Sequence, residues 1–389
     1  GMERFIENAA KGREEEVERM VNEEWLREKG KEVLSLIHHH LHKQPDLGPY
    51  TGASGILLEV EEASRFLSIS HPSLNRSSLL PLIPPISLSS SRFTSYLGGC
   101  VGDLTVLSLI GEGKDVKRSL ETAASHASRY NVPNEVLYGR AGILMADTVL
   151  RKRLGSSPIS SSSLRNIIDM IVSEGKLYSM KKKLVPPLMW EWHDTEYLGA
   201  AHGVAGILHA LLLHWNELLE SEKKDVKETA MWLLSLEESK SGHWESSTDH
   251  VGSSRSKRLV HWCHGAPGTL PFLLLSYHTF TDESFLDAAL RAGELIWEYG
   301  VLKKGPGLCH GIGGNGIAML SLYTVTRHNK WRTRAKCFAY LMMDDRVRTQ
   351  QRTPDAPHSL FEGWAGGLSL LIALSQTDYD PFPLIPLLP

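Results

Sequence analysis

The 389 residues carry 42 Lys and Arg against 45 Asp and Glu, a formal net charge of -3, so no nucleic-acid partner is expected. Hydrophobic content of 42% and charged content of 22% are those of a soluble globular chain. The four cysteines, Cys100, Cys263, Cys309 and Cys337, are too few for a disulfide framework and fit a reducing compartment, where cysteines more often react or bind metal.

Residues 1–48 read as a helical N-terminal segment. It is rich in Glu and Arg, has no early apolar stretch, and so is not expected to be a signal peptide. From residue 49 the frame Gly-x-x-Gly recurs seven times, each copy at the head of an apolar run. The copies start at Gly52, Gly99, Gly139, Gly203, Gly265, Gly311 and Gly363, which lie 47, 40, 64, 62, 46 and 52 residues apart. Such a period predicts helical hairpins that share a core with their neighbours. The glycines are expected to give tight, positive-φ turns into the helices and to let neighbouring backbones approach closely.

Between the first and second copies, residues 68–95 are rich in Ser, Pro and Leu. Pro72, Pro81, Pro84 and Pro85 would interrupt a helix there, so this stretch is expected to be irregular. Gly155 to Ser163 reads as a short Ser-rich linker. Lys181-Lys182-Lys183 is the one tight basic run, expected as a solvated loop. After Gly203 the run Val204 to Leu213 is apolar nearly all round, but it holds His209. It is also shorter than the roughly 18–20 residues a membrane span needs. Phe285 to Trp297 and Trp331 to Met343 repeat apolar residues every three and four positions, as an outer helix with one wet face does. The tail 377–389, with Pro381, Pro383, Pro386 and Pro389, is expected to be extended and loosely held. Together these readings predict an all-α chain: an α/α toroid of seven hairpins over 49–376, with inner and outer helix layers.

The repeat aligns chemistry. The residue before the first glycine is His202, His264 and His310 in three successive copies, and Cys263 and Cys309 precede two of them. Two thiolates and an imidazole suit a tetrahedral Zn²⁺ that keeps one open position, so Cys263, Cys309 and His310 form a candidate metal site. His202 reads either as a general acid/base or as a polar residue at a helix start. His264 reads as a metal-supporting group, a substrate contact or a structural residue. Cys100 and Cys337 read as buried structural thiols.

These segments resemble the lanthionine synthetase C-like family, most closely its eukaryotic, plant-type branch. The match is carried by Leu137-Tyr138-Gly139-Arg140-Ala141-Gly142, Trp190-Glu191-Trp192-His193, Gly199 to Gly206, His261-Trp262-Cys263-His264-Gly265-Ala266-Pro267-Gly268, Leu308-Cys309-His310-Gly311 and Ser359-Leu360-Phe361-Glu362-Gly363. The resemblance implies zinc on Cys263, Cys309 and His310 and a catalytic role for His202. It implies binding of glutathione, whose thiol would add to dehydroalanine or dehydrobutyrine residues of a dehydrated peptide or protein. Lys304 matches a lysine associated with glutathione binding in animal relatives, and Arg4 matches an N-terminal arginine more weakly. Arg140 is a further candidate for the carboxylates of glutathione. No acidic partner for His202 is identified from the sequence. A cytoplasmic location follows, with peripheral association at the plasma membrane as an option. The alternatives are a non-catalytic, zinc-containing signalling adaptor and a zinc-dependent prenyltransferase-like toroid.

Overall fold

The computed structural model describes residues 4–41, 46–254, 258–376 and 380–389. Among them regular structure is helical, and β pairing is confined to isolated bridges such as Phe5 with Leu302 and Trp192 with Thr195. Every copy of the glycine frame does the same job. Gly52, Gly99, Gly139, Gly203, Gly265, Gly311 and Gly363 are the N-caps of helices Ala53–Leu67, Cys100–Ile110, Arg140–Leu154, Val204–Leu213, Ala266–Phe280, Ile312–Thr326 and Trp364–Leu374.

The reason for glycine is mostly space, not φ. Of the seven caps only Gly265 has a positive φ, at 119°; the other six are extended, so the positive-φ expectation holds at one position. A Cβ on Gly203 would strike the Tyr197 carbonyl, and one on Gly206 would strike the carbonyl of Ala200. The chain folds back on itself before each helix, and a side chain would hold that loop off.

By their contacts the residues divide into two compact units, each made of separate stretches. The first comprises Gly1–Pro85, Val260–Trp262 and Gly293–Pro383. In it the Trp364–Leu374 helix packs against Ile312–Thr326 and Ala53–Leu67, while Glu23–His40 and Asn329–Met343 cover them. Val33, Leu34 and Ile37 of the covering helix are buried at the three- and four-residue spacing of one apolar stripe. Residues 68–95 form no long helix. Four residues, Arg76–Leu79, are helical behind an Asn75 cap, and Arg76 pairs with Glu61 at 2.7 Å.

The second unit comprises Ile86–Leu259, Cys263–Ala292 and Leu384–Pro389. Its four glycine-capped helices pack in sequence order, each on the next. All ten residues of Val204–Leu213 are buried, as expected of a helix covered on every side. Val116–Ala127, Ser161–Lys182 and Glu220–Ser235 form the outer layer. The first of these buries Val116, Leu120, Ala123, Ala124 and Ala127, a single stripe at helical spacing.

The C-terminal tail departs from expectation. Phe382, Leu384, Ile385 and Leu387 are buried. In the first unit Phe382 packs on Trp262 and Phe361, with ring centroids 5.4 and 5.9 Å away. In the second, Tyr96 donates to the Leu384 carbonyl at 2.6 Å, His209 Nε2 to that of Pro386 at 2.6 Å, and Lys152 to that of Leu388 at 2.7 Å. Prolines keep this stretch out of helix, but apolar side chains between them and three satisfied carbonyls hold it down.

Candidate functional site

In the second unit the loops that lead into helices Arg140–Leu154 and Val204–Leu213 lie side by side, because the helices themselves are neighbours. The Val136 N–H donates to the Ala201 carbonyl at 3.2 Å, which sets the 133–138 loop beside His202. Glu135 points across this join. Its Oε2 accepts from His202 Nδ1 at 2.6 Å and from the Leu137 N–H at 3.2 Å, and its Oε1 accepts from the Tyr138 N–H at 2.5 Å. An ionised carboxylate only accepts, so the imidazole hydrogen sits on Nδ1 and Nε2 is left for exchange with a substrate. Burial raises the Glu135 carboxyl above the usual range, although the hydrogen bond and charge of His202 pull the other way.

Aromatic rings fix the plane of His202. Trp192 stacks on it at 3.8 Å and 6°, and Tyr138 is nearly parallel at 6.2 Å. Tyr197 and His264 approach at 5.8 and 6.5 Å. His202 keeps 15% of its side chain exposed and Glu135 only 2%, so the pair has one open end. His264 is pushed down to about 4 by burial and then by the charge of His202, which keeps it neutral at physiological pH. A Cβ on Gly199 would strike the Cys263 carbonyl, so the loop before His202 also runs against the backbone of Cys263.

In the first unit the Cys309 N–H donates to the Phe361 carbonyl at 2.9 Å. Trp262, the residue before Cys263, packs edge-on against the Phe361 ring at 5.5 Å, and His261 lies 5.9 Å from His310. Burial works against a charged His310, but its hydrogen bond with Cys309 and the charge there raise its proton affinity above that of an ordinary histidine. Lys304 is close enough to oppose that rise and Glu362 to support it. The N-terminal arm runs alongside: the Lys303 N–H donates to the Arg4 carbonyl at 3.3 Å and the Ile6 N–H to that of Val301 at 2.7 Å. Arg4 and Lys304, both exposed, are thus carried on adjacent backbone stretches.

Among the described residues of the second unit, Glu238, His243 and Glu245 could hold a metal ion, their donor atoms lying within 4.8 Å of one another. Glu238 already pairs with Arg258 at 2.7 Å and His243 bonds to Glu245 at 3.2 Å. Cys263, Cys309 and His310 are the better zinc set by chemistry, since two thiolates and an imidazole are soft and borderline donors.

The profile of the lanthionine synthetase C-like proteins matches residues 15–387. The chain belongs to the lanthionine synthetase C-like family. It is 32% identical over 374 residues to the glutathione S-transferase LANCL1 of Danio rerio, covering 90% of this chain and 88% of that one. It is 36% identical over 259 residues to the LanC-like protein GCL1 of Arabidopsis thaliana, covering 65% of this chain and 58% of that protein. Among solved structures, nisin cyclase matches with a TM-score of 0.64 at 16% identity, covering 90% of this chain and 95% of the other. That likeness shows the fold of this lanthionine synthetase C-like chain, an α/α toroid.

Of the residues singled out in the sequence, His202 and His264 lie in the second unit with ring centroids 6.5 Å apart, Cys263 lies in the same unit, and Cys309, His310, Lys304 and Arg4 lie in the first. Arg140 is different. Its guanidinium is fully buried and donates to the carbonyls of Ala127 and Tyr130 at 2.8 and 2.7 Å, to Asn134 at 2.8 Å and to Glu174 at 3.0 Å. It ties loops together with the donors a substrate carboxylate would need. Sequence reasoning missed Glu135 and Trp192. The available signal was positional: Glu135 lies four residues before Gly139, in the loop of the repeat that adjoins His202.

Proposed function

We propose that this chain binds zinc through Cys263, Cys309 and His310, binds glutathione, and adds its thiol to dehydroalanine or dehydrobutyrine residues of peptides or proteins. What supports the reading is the donor set itself, because two thiolates with one imidazole would hold zinc and let it polarise a substrate thiol. Zinc held there would favour the thiolate form of that sulfur near neutral pH. The similarity to a relative named glutathione S-transferase supports glutathione as the thiol.

The chain's own residues then divide the work. Arg4 and Lys304, on adjacent strands of backbone, pair with glutathione carboxylates. The thiol proton leaves for solvent, the sulfur bonds to the β-carbon, and the carbon–carbon π pair moves toward the α-carbon and its carbonyl. His202, having taken a proton from solvent on Nε2, passes it to the α-carbon and returns to its Nδ1–H form, so thiol and alkene become one thioether with no redox partner. Glu135 keeps the Nδ1 hydrogen in place, and Trp192 holds the ring plane. A cytoplasmic setting supplies glutathione. Among the described residues no helix is long and apolar enough to cross a bilayer.

The test is incubation of the purified protein with glutathione and a dehydroalanine peptide, read by mass spectrometry against an enzyme-free control. Enzyme-dependent growth of the adduct supports the reading, and an adduct that forms no faster than in the control refutes it.

A further inference from the structure

Trp192 has a second side. One face stacks on His202, and its residue also lines a cleft of about 500 Å³ formed by Asn131 to Asn134, by Glu174 and Tyr178 of the Ser161–Lys182 helix, and by Met189 to Asp194. Three carboxylates line this cleft, Glu174, Glu191 and Asp194, and none of its lining residues is Lys or Arg. The Glu174 charge is met from behind by Arg140 at 3.0 Å. Glu191 and Asp194 are exposed. Lys182 stands outside, 5.9 Å from the Tyr178 ring, and Tyr178 itself donates to Glu196 at 2.8 Å. The cleft is therefore net negative, with an indole and a phenol in its wall, a combination that attracts cations through charge and through the ring faces.

The backbone at its rim is held in an uncommon form. Trp192 and Thr195 exchange two hydrogen bonds, at 2.9 and 3.2 Å, across a two-residue turn. The central residues are His193 at φ 48° and Asp194 at φ 59°, left-handed values that suit Asn or Gly better. The turn projects Asp194 at the rim while setting Trp192 against His202.

We propose that this cleft binds Arg or Lys residues of the protein substrate, lying within a few residues of the dehydrated position. The proposal deepens the reading of His202 as proton donor and rests on it: one indole separates the two places, and a peptide chain spans that distance in few residues. Cationic substrates would be preferred through the two exposed carboxylates, Glu191 and Asp194, with Glu174 already paired to Arg140.

The test uses fluorescent peptides of equal length that differ only in their flanks, carrying Arg, Gln or Glu, each made with dehydroalanine and with Ser at the central position. Anisotropy should show the Arg peptide binding about three- to tenfold tighter than the Gln peptide and tighter still than the Glu peptide, with the preference shrinking as salt rises. The Ser peptides should keep the same order. Their binding does not depend on the addition reaction, so it reads the cleft even if that reaction is absent. The double variant Glu191→Gln/Asp194→Asn, both exposed positions, should lose the preference. Equal affinity for Arg and Glu peptides overturns the proposal, as does a preference that survives in the double variant.

Discussion

Glu135 and His202, 67 residues apart in the chain, meet through Oε2 and Nδ1 at 2.6 Å. The contact depends on the repeat: two neighbouring helices begin with the same turn, so the loops before them run together. An imidazole so held can give up a proton from Nε2 only, and its carboxylate partner is almost wholly buried. His202→Ala should therefore lower the rate of thiol addition by about 10²- to 10⁴-fold while leaving zinc content unchanged. Rate and elemental analysis on the same preparation check this. A rate equal to that of the wild type removes His202 from the chemistry.

Burial raises the Glu135 carboxyl above its unfolded value. On acidification the folded chain takes up this proton before the unfolded chain does, so the group favours folding at low pH. As pH rises through the raised value, that advantage is lost. Glu135→Gln has no such titration. The stability of the variant relative to the wild type should therefore improve as pH rises above the usual carboxylate range, whatever constant cost the lost acceptor imposes. Urea unfolding at three pH values measures it. A constant difference across those values contradicts the assignment.

The glycine frame and the helix starts were legible in the sequence, because each is written in residue type and period. The partner of His202 was not. Glu135 belongs to a different repeat, and nothing local distinguishes it from a surface Glu; packing of the two loops makes it chemical. The role of Arg140 was likewise hidden. Its position in a matching motif suggested a substrate contact, whereas the fold closes Ala127, Tyr130, Asn134 and Glu174 around it. The tail misled in the opposite direction, since its prolines argued against helix but said nothing about Phe382, Leu384, Ile385 and Leu387 between them.

That tail gives a stability prediction. Phe382 is buried against Trp262 and Phe361, so Phe382→Ala should cost about 3 kcal/mol or more in unfolding free energy. A loosely held tail would cost less than about 0.5 kcal/mol. Chemical denaturation of the two proteins separates these outcomes.

The thiols should fall into two classes. Cys337 is pushed up to about 12, mainly by burial, and burial also raises Cys100. Both lie in the core, so neither should react with a thiol reagent while the chain is folded. Cys263 and Cys309 should resist the reagent with zinc bound and be modified after chelation. Mass mapping of alkylated peptides reads all four at once. Fast modification of Cys100 or Cys337 in the folded protein would contradict their placement.

The zinc content of purified wild-type protein, Cys263→Ala and Cys309→Ala, measured by elemental analysis at equal protein concentration, tests the account at its centre. About one zinc per wild-type chain and close to none in either variant is the predicted result. Full zinc occupancy in Cys309→Ala, or a wild-type chain that never takes up zinc, would contradict it.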